Sequence, residues 1–216
     1  MHSWLLLLLT ASSPVYDRSL TTDGEKGLIR SEYSSIRNSE IGYWNKFLPV
    51  LNFDSYDVFV KSLKSYIDNG SLFSLAELYL PVRLKPYGKY SVENLEKGVS
   101  HIEFRMFDTN PFEPLGINKL DLEFTHLLVM YLSTLDDFDL TAELQKQALE
   151  NHKSTALYDL SEVKIDGTDI LEKADNIIGQ MCEMFRSDST ALEILQYERS
   201  KLNDRPCTHI NDLMFI

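Results

Sequence analysis

Cysteine and positive charge are both scarce in this sequence, and each shortage argues against a class of protein. The two cysteines, Cys182 and Cys207, are too few for a disulfide framework, so we expect a reducing, cytoplasmic environment. Lys and Arg total 21 against 33 Asp and Glu, which gives a formal net charge of −12. So acidic a chain is not expected to bind nucleic acid.

The chain also lacks a hydrophobic run long enough to cross a membrane. The strongly apolar run from Trp4 to Leu9 has six residues, whereas a spanning helix needs about 20. Small residues follow it at 11–13, as in a secretory signal peptide, but no Lys or Arg precedes it. Two interpretations stay open, the signal of a secreted binding protein and a segment that is not cleaved.

The stretch His101–Phe107 predicts a β-strand that the Asn110-Pro111 step brings to an end. Side chains alternate along a strand, so Glu103 and Arg105 point the same way, roughly 7 Å apart at Cα. Ile102, Phe104 and Met106 form the opposite face, which we expect to be the core face. The two charged groups suit either Mg²⁺ and phosphate binding or an ion pair on a solvated sheet face.

The residues around this pair closely resemble the signature of bacterial glutamate–cysteine ligases. The matching stretch is Glu103-Phe-Arg-Met-Phe-Asp-Thr-Asn-Pro-Phe-Glu-Pro-Leu-Gly-Ile117. In that family a Glu-x-Arg is followed by Asp-x-Asn-Pro-Phe, by Gly-Ile or Gly-Val, and by a long apolar helix. The likeness is strongest to the ligase part of bifunctional glutathione-synthesising enzymes, and it extends over about residues 4–202.

Two further segments resemble elements of the same family. Ser35-Ile-Arg37 and Gly42-Tyr-Trp-Asn45 resemble its Ser-Leu-Arg and Gly-Tyr-x-Asn elements. The resemblance implies that Arg37 faces the phosphate region and that Tyr43 lines the cysteine pocket. Glu77-Leu-Tyr-Leu-Pro-Val-Arg83 resembles a third element, which implies that Tyr79 lies beside this pocket and Arg83 near the nucleotide.

The fold class predicted from these patterns is α+β. We expect part of an antiparallel sheet of the glutamine-synthetase-like carboxylate–amine ligase type, packed with helices. Strand character is expected at 72–84 and 101–107. Apolar residues at helical spacing predict helices over 54–69 (with Asp54 as N-cap), 120–135 and 168–185, and 141–153 is predicted as a more polar helix. Residues 1–135 would carry the strands and substrate loops, and residues 136–216 a helical region of the same domain.

The resemblance implies ATP-dependent joining of the γ-carboxylate of L-glutamate to the amine of L-cysteine through a γ-glutamyl phosphate. It implies that Glu103 is a Mg²⁺ ligand and that Arg105 and Arg37 stabilise the transferred phosphoryl group. The remaining metal carboxylates of the family belong to an N-terminal half that this chain lacks. We therefore expect a fragment that is inactive alone, with a separate N-terminal half as a possible partner. The alternative is a non-catalytic remnant or a regulatory partner of a full-length ligase.

Overall fold

The computed structural model describes residues 2–11, 16–17, 29–30, 32–110 and 112–203. The predicted features at Ser12, Ser13, Pro111 and Cys207 lie outside these residues. The described helices are α1 Ser3–Thr10, α2 Tyr56–Asp68, α3 Val92–Leu95, α4 Lys119–Leu132, α5 Ala142–Thr155, α6 Ile170–Met184 and α7 Ser189–Ser200. The described strands are β1 Tyr16–Asp17, β2 Ile29–Arg30, β3 Val82–Lys85, β4 His101–Phe104, β5 Lys164–Ile165 and β6 Thr168–Asp169.

The strands of the described residues form three two-stranded antiparallel sheets, β1–β2, β3–β4 and β5–β6. Helices together with antiparallel strands confirm the α+β prediction. The chain divides into two compact units. Of the described residues, the first unit comprises those within 42–106 and 137–150, and the second comprises those within 2–41, 107–136 and 151–203. The predicted division at 135/136 concerned regions of one catalytic domain, and it stays a prediction.

The first unit is built around α2, whose apolar residues pack on a core shared with α3 and the turns before β3. Ser55 caps α2, because its side chain accepts a hydrogen bond from the Val58 N–H. The core residues are Leu51, Phe59, Val60, Leu63, Leu72, Leu75, Leu78, Val92 and Leu95. Strand β3 pairs with β4 so that Arg83 lies opposite Glu103 and Leu84 opposite Ile102.

The strand predicted over 72–84 is shorter than expected. Leu75–Glu77 is a 3-10 helix, and β3 begins only at Val82. The backbone before β3 bonds to itself, since the Leu78 N–H donates to the Leu75 carbonyl, and this removes it from the ladder. The prediction that Ile102 lies on the core face is wrong, because Ile102 is 43% exposed while Met106 is fully buried. Alternation along a strand determines which face of the sheet a side chain lies on. Whether that face is buried depends on whether another element packs against it.

The second unit is mainly helical, with α4 packed against α1, α6 and α7. The apolar run near the N-terminus is helix α1, and Trp4 to Leu9 are all buried. After Met106 the signature folds into a tight turn, in which the Asn110 N–H donates to the Gly116 carbonyl at 2.7 Å. Gly116 has a φ of +75°, and a Cβ there would lie 3.3 Å from the Thr109 methyl group, so glycine fits this turn best.

Candidate active site

Glu103 and Arg83 form an ion pair across the β3–β4 sheet. The Oε2 atom of Glu103 lies 2.7 Å from Nε and 2.6 Å from Nη2 of Arg83. Burial alone would raise the pKa of Glu103, but the hydrogen bond and charge of Arg83 outweigh it and lower the pKa. Glu103 is therefore held as a carboxylate, and its partner is the arginine on the neighbouring strand.

The guanidinium of Arg83 is largely occupied by the protein itself. Besides Glu103, it donates from Nη1 to the Leu78 carbonyl at 3.2 Å and lies 5.0 Å from the centre of the Tyr90 ring. The side chain is only 8% exposed. These contacts fit an arginine that organises the sheet, and nucleotide binding by Arg83 stays a prediction.

Tyr43, Tyr79 and Arg105 form a second group in the same unit. The rings of Tyr43 and Tyr79 are stacked with centres 6.4 Å apart. The guanidinium carbon of Arg105 lies 5.7 Å from the centre of the Tyr79 ring. Tyr43 is 77% exposed, while Tyr79 and Arg105 are half-buried. Two aromatic faces beside a cation make a surface suited to a small polar molecule with an apolar or thiol side chain.

Five of the six residues predicted for the site thus belong to the first unit. Arg37 is the exception, since it lies in the second unit with an exposed side chain. Sequence reasoning missed two residues of the first unit, Asn45 and Tyr90. Asn45 stands at the end of the quoted Gly-Tyr-x-Asn element and could have been singled out there. Tyr90 has no sequence signal, because only the fold brings its ring to Arg83.

Glu103 is the residue predicted to bind a divalent cation at this site. The described part of the chain holds no group of three or more His, Cys, Asp or Glu side chains arranged to bind a metal. Glu103 can offer one oxygen, since both Arg83 contacts converge on Oε2. These residues therefore do not fit a complete Mg²⁺ site.

Two other sequence features have their place in the structure. Cys182 is half-buried on α6, and burial raises the pKa of its thiol, which agrees with a packing role. Among the described helices, none combines the length and the apolar character that crossing a bilayer requires.

Comparison with known proteins identifies the family. Residues 67–155 match the model of the family described as glutamate-cysteine ligase. The chain is 39% identical over 178 residues to the glutathione biosynthesis bifunctional protein GshAB of Listeria innocua, and 30% identical over 209 residues to that of Mannheimia succiniciproducens. The chain belongs to the glutamate–cysteine ligase family. The resemblance seen in the signature around Glu103 is thereby confirmed.

Solved structures of ligases share the fold. The bifunctional glutathione synthetase of Pasteurella multocida superposes with a TM-score of 0.76 at 26% identity, over 99% of this chain and 28% of that one. The glutamate–cysteine ligase of Francisella tularensis, solved with AMP, superposes with a TM-score of 0.79 at 21% identity, over 98% of this chain and 51% of that one.

The match covers only part of each family member. The alignments take in 78% of this chain and 23% of the Listeria relative, and 93% of this chain and 26% of the Mannheimia relative. The chain therefore spans about a quarter of the length of these curated relatives.

Proposed function

We propose that this chain supplies part of the active site of an enzyme that makes γ-glutamylcysteine from L-glutamate, L-cysteine and ATP in the cytoplasm. The observation that carries the proposal is the clustering of Glu103, Arg105, Tyr43 and Tyr79 in one compact unit of a glutamate–cysteine ligase family member. These residues come from three separate segments of the sequence. Their collection in one compact unit supports a common role.

The chemistry requires two transfers. A γ-carboxylate oxygen of glutamate attacks the γ-phosphorus of ATP, which releases ADP and forms an acyl phosphate. The cysteine nitrogen then attacks the acyl carbon, phosphate leaves with the bonding electrons, and the nitrogen loses a proton. Both steps crowd anionic oxygens together, so a fixed cation lowers the barrier.

Arg105 is the cation that we assign to this task in the first unit, because it belongs to the Glu-x-Arg signature and its guanidinium lies over the Tyr79 ring. Arg37 is proposed as a second cation. Tyr43 and Tyr79 would hold the side chain of cysteine between aromatic faces. Glu103 would provide one oxygen to Mg²⁺, which when bound would neutralise phosphate charge. The other metal ligands would come from outside the described residues, and we propose a separate N-terminal half as their source.

A chimera tests the proposal. The segment of the Listeria innocua protein that corresponds to residues 4–202 is replaced by this chain, and γ-glutamylcysteine is measured by mass spectrometry. We expect product that depends on both ATP and cysteine. Arg105→Lys in the chimera should lower turnover about tenfold or more, because a point charge replaces a planar fork. The same change at exposed Arg199 is the matched control and should have no effect.

Two results would contradict the proposal in different ways. A folded chimera without product would reject the ligase function and favour a non-catalytic partner of a full-length ligase. Full activity in the Arg105→Lys chimera would leave the function intact and reject the role assigned to Arg105.

A further inference from the structure

The side chain of Asn45 bridges two segments that are far apart in the sequence. Its Nδ2 donates to the Glu77 carbonyl at 2.8 Å, and its Oδ1 accepts from the Tyr79 N–H at 2.8 Å. The side-chain amide of Asn45 thus donates one hydrogen bond and accepts another, both with the same short stretch of backbone. This pair of bonds fixes the orientation of the amide.

The residue between those two anchor points is also held by a side chain. The Leu78 carbonyl accepts from Nη1 of Arg83 at 3.2 Å, and Leu78 itself is buried. Three consecutive residues, 77 to 79, therefore each have a backbone group bound by a side chain. This stretch begins at the last residue of the 3-10 helix and ends before β3, so these bonds satisfy backbone groups outside the strand ladder.

The bridge starts two residues after Tyr43 and ends at Tyr79, the two rings that stack with centres 6.4 Å apart. Because the Tyr43 ring is 77% exposed, little packing holds it in place. The spacing of the two rings is then set by their backbones, and Asn45 joins those backbones directly. A movement of Tyr79 would also change its contact with Arg105, whose guanidinium lies over the Tyr79 ring.

We propose that Asn45 is a positioning residue that sets the distance between Tyr43 and Tyr79 and thereby the width of the cysteine pocket. The pocket role rests on the proposed function, whereas the positioning role rests on the hydrogen bonds alone. The hydrogen bonds of Asn45 go to backbone groups, so we infer that its effect on cysteine is exerted through the two tyrosines.

The experiment uses the full chain with Asn45→Ala, Asn45→Asp and a control, Asn94→Ala. Asn94 also donates to a backbone carbonyl, that of Lys89, in the same unit. The first readout is the nuclear Overhauser effect between the ring protons of Tyr43 and Tyr79. The second is the dissociation constant of L-cysteine against that of L-2-aminobutyrate, which carries a methyl group in place of the thiol.

We expect the ring-to-ring effect in the wild type and in Asn94→Ala, and its loss in Asn45→Ala. Cysteine binding should weaken about tenfold in Asn45→Ala, with a smaller preference over L-2-aminobutyrate. Asn45→Asp keeps the acceptor for the Tyr79 N–H and should be intermediate. If Asn45→Ala does not fold, Asn45→Asp decides the question by the same two readouts.

An unchanged ring-to-ring effect in a folded Asn45→Ala chain would overturn the positioning role. Loss of that effect with unchanged cysteine affinity would overturn the pocket role. A wild-type chain that shows the ring contact but does not bind cysteine would count against the proposed function, and the positioning of the rings by Asn45 would stand.

Discussion

Two arginines of this chain illustrate how burial changes the contribution of an ion pair to the free energy of unfolding. Arg83 pairs with Glu103 at 8% and 34% side-chain exposure, whereas Arg199 pairs with Asp175 at 46% and 45%. The Arg199 pair is bidentate, with Nε–Oδ1 at 2.5 Å and Nη2–Oδ2 at 2.6 Å. Water competes for the exposed pair, so its better geometry does not make it the more stabilising one.

We expect Arg83→Met to lower the free energy of unfolding by about 1–3 kcal/mol, because Glu103 and the Leu78 carbonyl lose their donor. Arg199→Met is the matched control and should cost no more than about 1 kcal/mol. Urea unfolding followed by tryptophan fluorescence measures both, since Trp44 lies in the first unit and Trp4 in the second. If the two variants lose the same free energy of unfolding, burial does not make the Arg83 pair the more stabilising one.

The start of helix α2 shows that local geometry decides which of two neighbouring residues acts as the N-cap. Asp54 and Ser55 both suit the N-cap of α2 by residue type, and the sequence favoured Asp54. In the structure Ser55 is the cap, and the carboxylate of Asp54 accepts a hydrogen bond from the side chain of Asn52 instead. The Asp54 N–H also bonds to Asn52, so Asp54 belongs to the turn before the helix.

Ser55→Ala should therefore lower the free energy of unfolding by about 1 kcal/mol, since the Val58 N–H loses its acceptor. Asp54→Ala should cost only about 0.5 kcal/mol or less, because it removes one exposed hydrogen bond. Thermal unfolding followed by circular dichroism compares the two. A larger loss for Asp54→Ala would restore the cap that the sequence favoured.

At the scale of the whole molecule, buried charges link the helices of the second unit. Lys201 Nζ, just after α7, lies 2.6 Å from Asp121 Oδ1 on α4 and 2.9 Å from Glu198 Oε2 on α7. It is also 3.4 Å from the Leu9 carbonyl of α1. Burial raises the pKa of Glu198 to about 8, and the attraction of Lys201 only partly offsets this effect. Burial also acts on His152, whose pKa it lowers to about 4.

These two groups give opposite dependences of stability on pH. The pKa of Glu198 is raised in the folded state, so its contribution is complete below about pH 4.5 and is lost as pH rises toward 8. The lowered pKa of His152 makes stability rise between about pH 4 and 6.5. Between pH 6.5 and about 8 the effect of Glu198 remains, and we expect the free energy of unfolding to fall there by up to about 1.4 kcal/mol per pH unit.

Glu198→Gln should flatten this fall when urea unfolding is measured at several pH values between 6.5 and 8.5. Asp175→Asn is the control, because hydrogen bonds from Arg199 lower the pKa of Asp175 and it does not titrate in this window. A slope that persists in Glu198→Gln would show that another group is responsible.

The sequence by itself determined helices α2, α4, α5 and α6, the α+β class and the family. Apolar residues at helical spacing predicted α2, α4 and α6 to within a few residues, because the hydrogen bonds of a helix are local and its buried stripe repeats with the helical period. The more polar helix α5 was predicted with similar bounds. The signature after Glu103 carried the family resemblance because its residues are contiguous. The helical periodicity and the signature both lie within short stretches of chain. They can be recognised without knowing which elements pack against each other.

Only the tertiary structure decided which side chains meet and which are covered. Glu103 pairs with Arg83, 20 residues away, and Asn45 bonds to Tyr79, 34 residues away. Ile102 has the residue type and strand position of a core residue but is 43% exposed, while Glu198 in a polar helix is fully buried. Residue type and periodicity describe one element at a time, whereas burial and long-range hydrogen bonds depend on what a second element brings against it.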